Sequence, residues 1–245
     1  MIEIDHLTKF YGDKCAVNDL SLEVPAGEVF CFLGPNGAGK TSTIKIMTGL
    51  LRATTGSVRI GGHYIQKDAQ AAKRLIGYIP DMPYVYERFT SSEFFDFSGD
   101  IYNIARRDVA QRKEEYFDLF GLNEHRDVLV KELSHGLRQR LIYASTFLHE
   151  PKVLFVDEPL IGLDPHTIRL IKDLLTARAA AGMTVFMTTH ILTLAEDVGD
   201  RIGIIMHGRL CALGDLQSLL REHGEETLED LFLKITHSDY VKEGN

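Results

Sequence analysis

The eight residues Gly34-Pro35-Asn36-Gly37-Ala38-Gly39-Lys40-Thr41 constrain this chain more than any other stretch. They follow Val29-Phe30-Cys31-Phe32-Leu33, a continuous apolar run of strand length, and precede a helix-forming segment from about Lys40 to Leu50. Strand, glycine-rich turn and helix in that order make a phosphate-binding loop. The glycines let consecutive backbone N–H groups face an anion, and the helix N-terminus adds positive potential. Lys40 supplies a point charge for β- and γ-phosphates, and the Thr41 hydroxyl is placed for Mg²⁺. A strand that is apolar throughout is covered on both faces.

The rest of the chain fits around that unit. Ile2–Leu7, Ala16–Leu22, Glu28–Leu33, Ser57–Ile60 and Ile76–Ile79 read as strands, separated by Gly12-Asp13 and Pro25-Ala26-Gly27 among other turns. Between Asp81 and Pro151 the pattern becomes helical. Thr90 and Glu93 form a capping box ahead of Phe94, Phe97, Ile101 and Ile104. A second helix starts at Asp108 and stops at Gly121; a third carries Leu137, Leu141, Ala144 and Leu148. From Val153 strand and helix alternate (Val153–Val156, His166–Ala179, Thr184–Thr188, Ile191–Val198, Ile202–Met206), which predicts a mostly parallel sheet flanked by helices. Leu228, Leu231, Phe232 and Ile235 share one face of a closing helix.

Two further motifs specify the machine. Val153-Leu154-Phe155-Val156-Asp157-Glu158-Pro159 is an apolar strand that ends in two carboxylates. A strand terminus can aim one carboxylate at a Mg²⁺ shell while the next faces a terminal phosphate and an attacking water. Between the loop and that strand lies Leu133-Ser134-His135-Gly136-Leu137, a Leu-Ser-x-Gly string that opens a helix. With these three motifs in order the chain resembles the ATP-binding-cassette (ABC) ATPases, and its late features, including the Leu228–Ile235 helix, resemble those of the drug- and antibiotic-exporter-type subunits.

The resemblance implies an α/β fold: a P-loop NTPase (RecA-like) core with an N-terminal antiparallel β sub-domain and a helical sub-domain, 82–150, inserted in it. The chain, 1–245, is then a single nucleotide-binding domain with a helical tail, 215–245. It implies that Glu158 is the general base, that His190 contacts the γ-phosphate and orients the water, and that Lys40 completes the catalytic set. Asp157 takes the Mg²⁺ role with Thr41 and Asp81. Tyr11 stacks on adenine, and Gly34, Pro35, Asn36, Gly37, Ala38, Gly39, Lys40, Thr41 and Ser42 cradle the phosphates. Ser134 and Gly136 form a second cradle for the γ-phosphate held by another protomer. Asp164, in Gly162-Leu163-Asp164-Pro165, lies on a segment that crosses the dimer interface. ATP and Mg²⁺ are the implied cofactors. The implied partners are a second ATPase subunit, identical or paralogous, and transmembrane permease subunits. In the family, the aromatic-rich stretch Tyr84–Tyr102 forms the groove for a cytoplasmic helix of the permease, although several of these rings also suit a helical core.

Three residues depart from the family pattern. His135 stands in place of a glycine and Leu137 in place of a glutamine. Asp81 follows Ile76-Gly77-Tyr78-Ile79-Pro80 where a glutamine is usual, which adds negative charge near the phosphates on a shorter arm.

Composition narrows the alternatives. Acidic residues outnumber basic ones 35 to 27, and basic residues cluster no further than pairs such as Lys73-Arg74 and Arg106-Arg107, which argues against a nucleic-acid surface. Met1-Ile2-Glu3-Ile4 does not open a signal peptide, and the apolar runs are far too short to span a membrane. Any membrane contact is therefore expected through a partner, at the cytoplasmic face. Cys15, Cys31 and Cys211 have neither metal-ligand nor disulfide spacing, as expected in a reducing compartment. A soluble ABC ATPase without a transport partner, or a nucleotide-gated subunit with weak turnover, are the competing classes.

Overall fold

A computed structural model describes residues 1–158, 160 and 163–240, with side chains through Thr236. In chain order it contains β1 (Ile2–Tyr11), β2 (Lys14–Val24), β3 (Val29–Leu33), α1 (Lys40–Met47), β4 (Thr55–Ile60), β5 (His63–Tyr64), α2 (Ala69–Arg74) and β6 (Ile76–Ile79). Then come α3 (Ser91–Ile101), α4 (Arg106–Leu119), α5 (His135–Phe147), β7 (Val153–Asp157), α6 (Pro165–Ala180), β8 (Thr184–Thr189) and α7 (Leu192–Val198). The chain closes with β9 (Arg201–Met206), β10 (Arg209–Gly214), α8 (Leu216–His223) and α9 (Leu228–Tyr240).

The strands form two sheets. One is antiparallel, in the order β2-β1-β4-β5; the other has six strands in the order β10-β9-β3-β8-β7-β6. The second sheet is parallel from β9 to β6, and only β10 runs antiparallel at its edge. The expected α/β class with a largely parallel sheet is the one observed.

Strand β3 connects the two cores. Its five residues are all buried, and the two-residue period divides them between faces. Phe30 and Phe32 point into a core shared with the antiparallel sheet and α1, where Phe186 stacks on Phe30 at 5.2 Å and Phe155 lies 5.8 Å from Phe186. Val29, Cys31 and Leu33 point into the other core, with α5, α6 and α7. Each fully buried phenylalanine there contributes about 1.5–3 kcal/mol relative to exposure. A loop at the end of such a strand is anchored from both sides. Burial also pushes the Cys31 thiol up to about 12, so it behaves as an apolar filler.

The helical region holds a correction. The capping box forms, with Glu93 N–H donating to Thr90 Oγ1 at 3.2 Å and Thr90 N–H to Glu93 Oε2 at 2.8 Å. The buried face of α3 is not the one the spacing of Phe94, Phe97 and Ile101 predicts. It carries Ser91, Phe95 and Gly99. A Cβ at Gly99 would lie 2.5 Å from Val109, so α3 and α4 meet at a glycine and leave no room there for an apolar stripe. Ile101 is exposed and Phe94 only half-buried, and both turn toward a groove instead. Helix α4 also starts at Arg106 rather than Asp108. The elements β5, α2 and β10 were not foreseen, being short or at an edge, whereas α8 falls within the expected helical tail. The tail helix has its predicted face: Leu228 and Leu231 are buried, and Phe232 and Ile235 are half-buried against the core.

Candidate nucleotide site

The loop from Gly34 to Gly39 is shaped by close backbone approach. Gly39 has φ +113°, and a Cβ there would lie 2.3 Å from the Ala16 carbonyl oxygen on β2. Outside the loop, Gly208 N–H donates to the Ala38 carbonyl at 2.9 Å, and Asn18 N–H donates to the Gly208 carbonyl at 2.8 Å. The β9–β10 turn and β2 therefore brace the loop against the sheet. Lys40 begins α1 almost fully buried, its ammonium donating to the carbonyls of Gly34 (2.6 Å) and Pro35 (3.2 Å). Burial lowers its pKa, while the charges of Glu158 and Asp157 oppose that shift.

A cleft of about 370 Å³ opens on this loop. Tyr11, Asn36, Gly37, Gly39, Lys40, Thr41, Ser42, Asp81, Asp157 and Glu158 line it, together with Lys14 and Ala16. The sequence reading missed the last two. Lys14 is the strand partner of Tyr11 across the Gly12-Asp13 turn, and that hairpin was the available signal. Tyr11 sits at the hairpin tip, half-exposed, with its hydroxyl 3.4 Å from Ser42 Oγ and the Lys9 ammonium 5.1 Å from its ring centre. An exposed ring face beside the cleft is what base stacking requires.

Opposite the loop, β7 and β8 deliver the acids. Asp157 ends β7 in a buried position, where its Oδ1 accepts the Thr188 hydroxyl and its carboxylate faces the Thr41 hydroxyl. Burial raises its pKa; the two hydroxyls oppose the shift, and the charges of Glu158 and Asp81 add to it. Thr188 was hidden in an apolar strand that gives no sign of which residue faces the acid. Glu158 follows with φ +53°, a strained conformation for a residue with a Cβ, and its N–H donates to the Thr188 carbonyl at 3.1 Å. His190 Nδ1 approaches Glu158 Oε2 to 3.0 Å. That approach lacks hydrogen-bond geometry, so the buried Oε2 has no hydrogen-bond partner among the described residues.

Ser134, Gly136 and Asp164 do not line the cleft; they gather at another place. Ser134 caps α5, its Oγ accepting from Leu137 N–H at 3.3 Å, and a Cβ on Gly136 would lie 3.8 Å from Asp164 Oδ2. Asp164 caps α6 through Thr167 N–H at 3.0 Å. The Thr167 hydroxyl and N–H hold the Asp164 carboxyl down at about 2, with Arg140 adding to the effect. Gly162 and Pro159 lie outside the described residues. His135 and Leu137 occupy the first turn of α5, with His135 exposed.

The oxygens of Thr41, Asp81 and Asp157 form a hard-donor set of the kind Mg²⁺ takes. Burial raises the Asp157 pKa most and the charges of Glu158 and Asp81 add to it, a repulsion that a divalent cation would relieve; Glu158 adds a buried carboxylate oxygen with no hydrogen bond among the described residues. The residues therefore fit the ion.

Thr41, Asp81 and Asp157 also form one wall of a second, larger groove of about 770 Å³. Leu50, Met82, Tyr84, Ile101 and Tyr102 line it and are exposed. The crowded aromatics thus divide: Phe95 is core, Tyr86 stacks on Phe89 with Phe97 edge-on to both, and Tyr84 and Tyr102 face the groove. Among the described residues no helix is long and apolar enough to cross a membrane.

Known proteins share this arrangement. A family described as ABC transporter matches residues 17–161, more than half of the chain. The linearmycin resistance ATP-binding protein of Bacillus subtilis (strain 168) is 33% identical over 231 residues, covering 94% of this chain and 74% of its own. The daunorubicin/doxorubicin resistance ATP-binding protein of Streptomyces peucetius is 38% identical over 227 residues, covering 93% and 69%. A solved ATP-binding subunit of an ABC transporter superposes with TM-score 0.91 at 29% identity, covering 96% of this chain and 98% of its own. A dimeric bacterial ABC transporter cassette shares the fold at 24% identity and TM-score 0.80, covering 88% and 99%. From its sequence, its fold and these relatives, the chain belongs to the ABC transporter family, as one of that family's ATP-binding and ATP-hydrolysing subunits.

Proposed function

We propose that the chain powers an exporter by closing, as a dimer with a second copy or a paralogue, around two MgATP. The observation that carries this reading is one cleft that brings Lys40 and Thr41 together with Asp81, Asp157 and Glu158 and shares a wall with an apolar groove. Lys40 and the backbone N–H groups of Gly37 to Thr41 hold the phosphates, and Tyr11 stacks on the base. Thr41, Asp157 and Asp81 hold Mg²⁺, which when bound neutralises phosphate charge. Glu158 accepts the proton of the attacking water, and His190 keeps that water aligned. Ser134 and Gly136 meet the terminal phosphate on the opposite protomer, with Asp164 at the same interface. The relatives named for linearmycin and daunorubicin/doxorubicin resistance support export as the direction.

The groove of Met82, Tyr84, Ile101 and Tyr102 receives a helix of a transmembrane permease, which holds this chain at the cytoplasmic face of the cell membrane. In that arrangement residues 82–150 act as a helical sub-domain within a single cassette, 1–245, and 215–245 form its tail. Nucleic acid has no part in it. Purified chain is expected to hydrolyse ATP only with Mg²⁺, and a multi-span membrane protein is expected to co-purify with it from membranes. Ile101→Glu, on the groove surface, should lose that partner while keeping basal ATPase activity. Mg²⁺-independent turnover, or wild-type partner binding by Ile101→Glu, would defeat the proposal.

Asp81 gives this site its own character. A carboxylate in place of a neutral amide binds the cation more strongly but repels the phosphates without it. Asp81→Gln is expected to shift the Mg²⁺ concentration for half-maximal ATP binding by severalfold. Equilibrium binding of a fluorescent ATP analogue across a Mg²⁺ titration measures this; an unchanged midpoint and turnover would exclude the role.

A further inference from the structure

We infer that Arg140 is a positioning residue that locks the N-terminus of α5 to Asp164, so that two interface segments move as one body. This rests on the dimer reading above. Arg140 lies five residues after the α5 start, facing the N-terminus of α6. Its Nε donates to Thr167 Oγ1 at 2.8 Å, and Nη2 reaches the same oxygen at 2.5 Å. Nη2 also approaches Asp164 Oδ2 to 3.4 Å, and Nη1 approaches the Phe120 carbonyl, at the end of α4, to 3.5 Å. The Thr167 hydroxyl passes the interaction on, donating to Asp164 Oδ2 at 2.6 Å. Thr167 is fully buried and the Arg140 side chain mostly so.

Two physical points make this more than a surface ion pair. A guanidinium at a helix N-terminus is opposed by the helix dipole, and only a cap with full negative charge offsets that. Asp164 is such a cap, kept ionised at every physiological pH. Second, the fork supplies two N–H groups to one hydroxyl and a third toward the carboxylate, which an ammonium cannot reproduce. A Cβ added to Gly136 would lie 3.8 Å from the same Asp164 oxygen, which places the first turn of α5 beside the Asp164 cap of α6. None of Arg140, Thr167 or Asp164 lines the nucleotide cleft of its own chain.

The expected consequence is a split between nucleotide binding and closure. The test uses full-length chain carrying Glu158→Gln, so that ATP is bound and not consumed. Nucleotide affinity is read with a fluorescent ATP analogue, and dimerisation by light scattering across an ATP titration. Adding Arg140→Gln should leave nucleotide affinity within twofold and weaken ATP-driven dimerisation at least tenfold. Adding Asp164→Asn instead should do the same, and the two together should weaken it no further, because they break one unit. Without Glu158→Gln, the Hill coefficient of hydrolysis should fall from about 2 toward 1.

Arg140→Lys keeps the stem and the charge and is read where Arg140→Gln does not fold. It should recover less than half of the dimerisation. Unimpaired dimerisation by a folded Arg140 variant, or fully additive losses, would overturn the inference. If the Glu158→Gln parent binds ATP and never dimerises, the dimer reading itself fails, a result distinct from either.

Discussion

Glu158→Gln is expected to bind ATP at least as tightly as the wild-type chain, to lose about 10²–10⁴-fold in turnover and to accumulate as a closed dimer. The reasons lie in the position of the side chain. Glu158 leaves β7 in a left-handed turn, and its backbone N–H is fixed by the Thr188 carbonyl, so its carboxylate is aimed by main chain rather than by flexible contacts. It is mostly buried on the wall of the cleft that Lys40 enters from the other side. Glutamine has the same shape and keeps one acceptor oxygen, so the turn and the cleft survive. What it lacks is basicity.

Removing that negative charge also removes a repulsion toward the terminal phosphate, which favours the bound, closed state. Asp157 and Asp81 remain, so the divalent cation keeps its anchors. The measurement is steady-state phosphate release beside light scattering with and without MgATP. Wild-type turnover in Glu158→Gln would remove Glu158 from the general-base role. A loss of turnover with a parallel loss of ATP binding would mean that it is structural.

The parts of this site that lie on one continuous segment were legible in the sequence; the parts assembled between segments were not. Gly34–Thr41 carries its signal within one segment, between its own strand and helix, and those two elements are where the sequence places them. Asp157 and Glu158 end a strand whose apolar run announces burial. The brace behind the loop is different. Ala16, Asn18 and Gly208 are distant in sequence, and their contacts to the loop are backbone contacts that leave no side-chain signature. The hydroxyls of Thr188 and Thr167 were missed for a related reason, since a buried threonine resembles any β-branched core residue until its acceptor is located. The stripe on α3 went wrong because periodicity identifies an apolar face without saying what covers it. Phe94 and Ile101 are apolar for a groove, while the packed face carries Gly99 because α4 comes too close for anything larger.

The same brace yields the last large effect, a contrast between two glycines two residues apart. Gly37 has φ +82° and open space where a Cβ would stand. Gly37→Ala therefore brings only the cost of a left-handed backbone, about 1–2 kcal/mol, and the chain should still fold. Gly39 has φ +113°, and its added Cβ would meet the Ala16 carbonyl at 2.3 Å. That carbonyl belongs to β2, at an irregularity held on both sides by the pairs Val17–Lys9 and Cys15–Phe10, so it cannot withdraw far without disturbing the antiparallel sheet. The loop must move instead, and with it the Lys40 ammonium that the first turn of α1 positions. Gly39→Ala is expected to destabilise the chain by about 3 kcal/mol, combining left-handed strain with overpacking. For a chain of this size that is roughly 10 °C in Tm. Affinity for a fluorescent ATP analogue should fall at least 100-fold in the fraction that folds. Thermal unfolding and equilibrium binding on both variants decide the matter: equal losses at the two positions would mean that backbone conformation alone, and not the approach of β2, sets the shape of the phosphate loop.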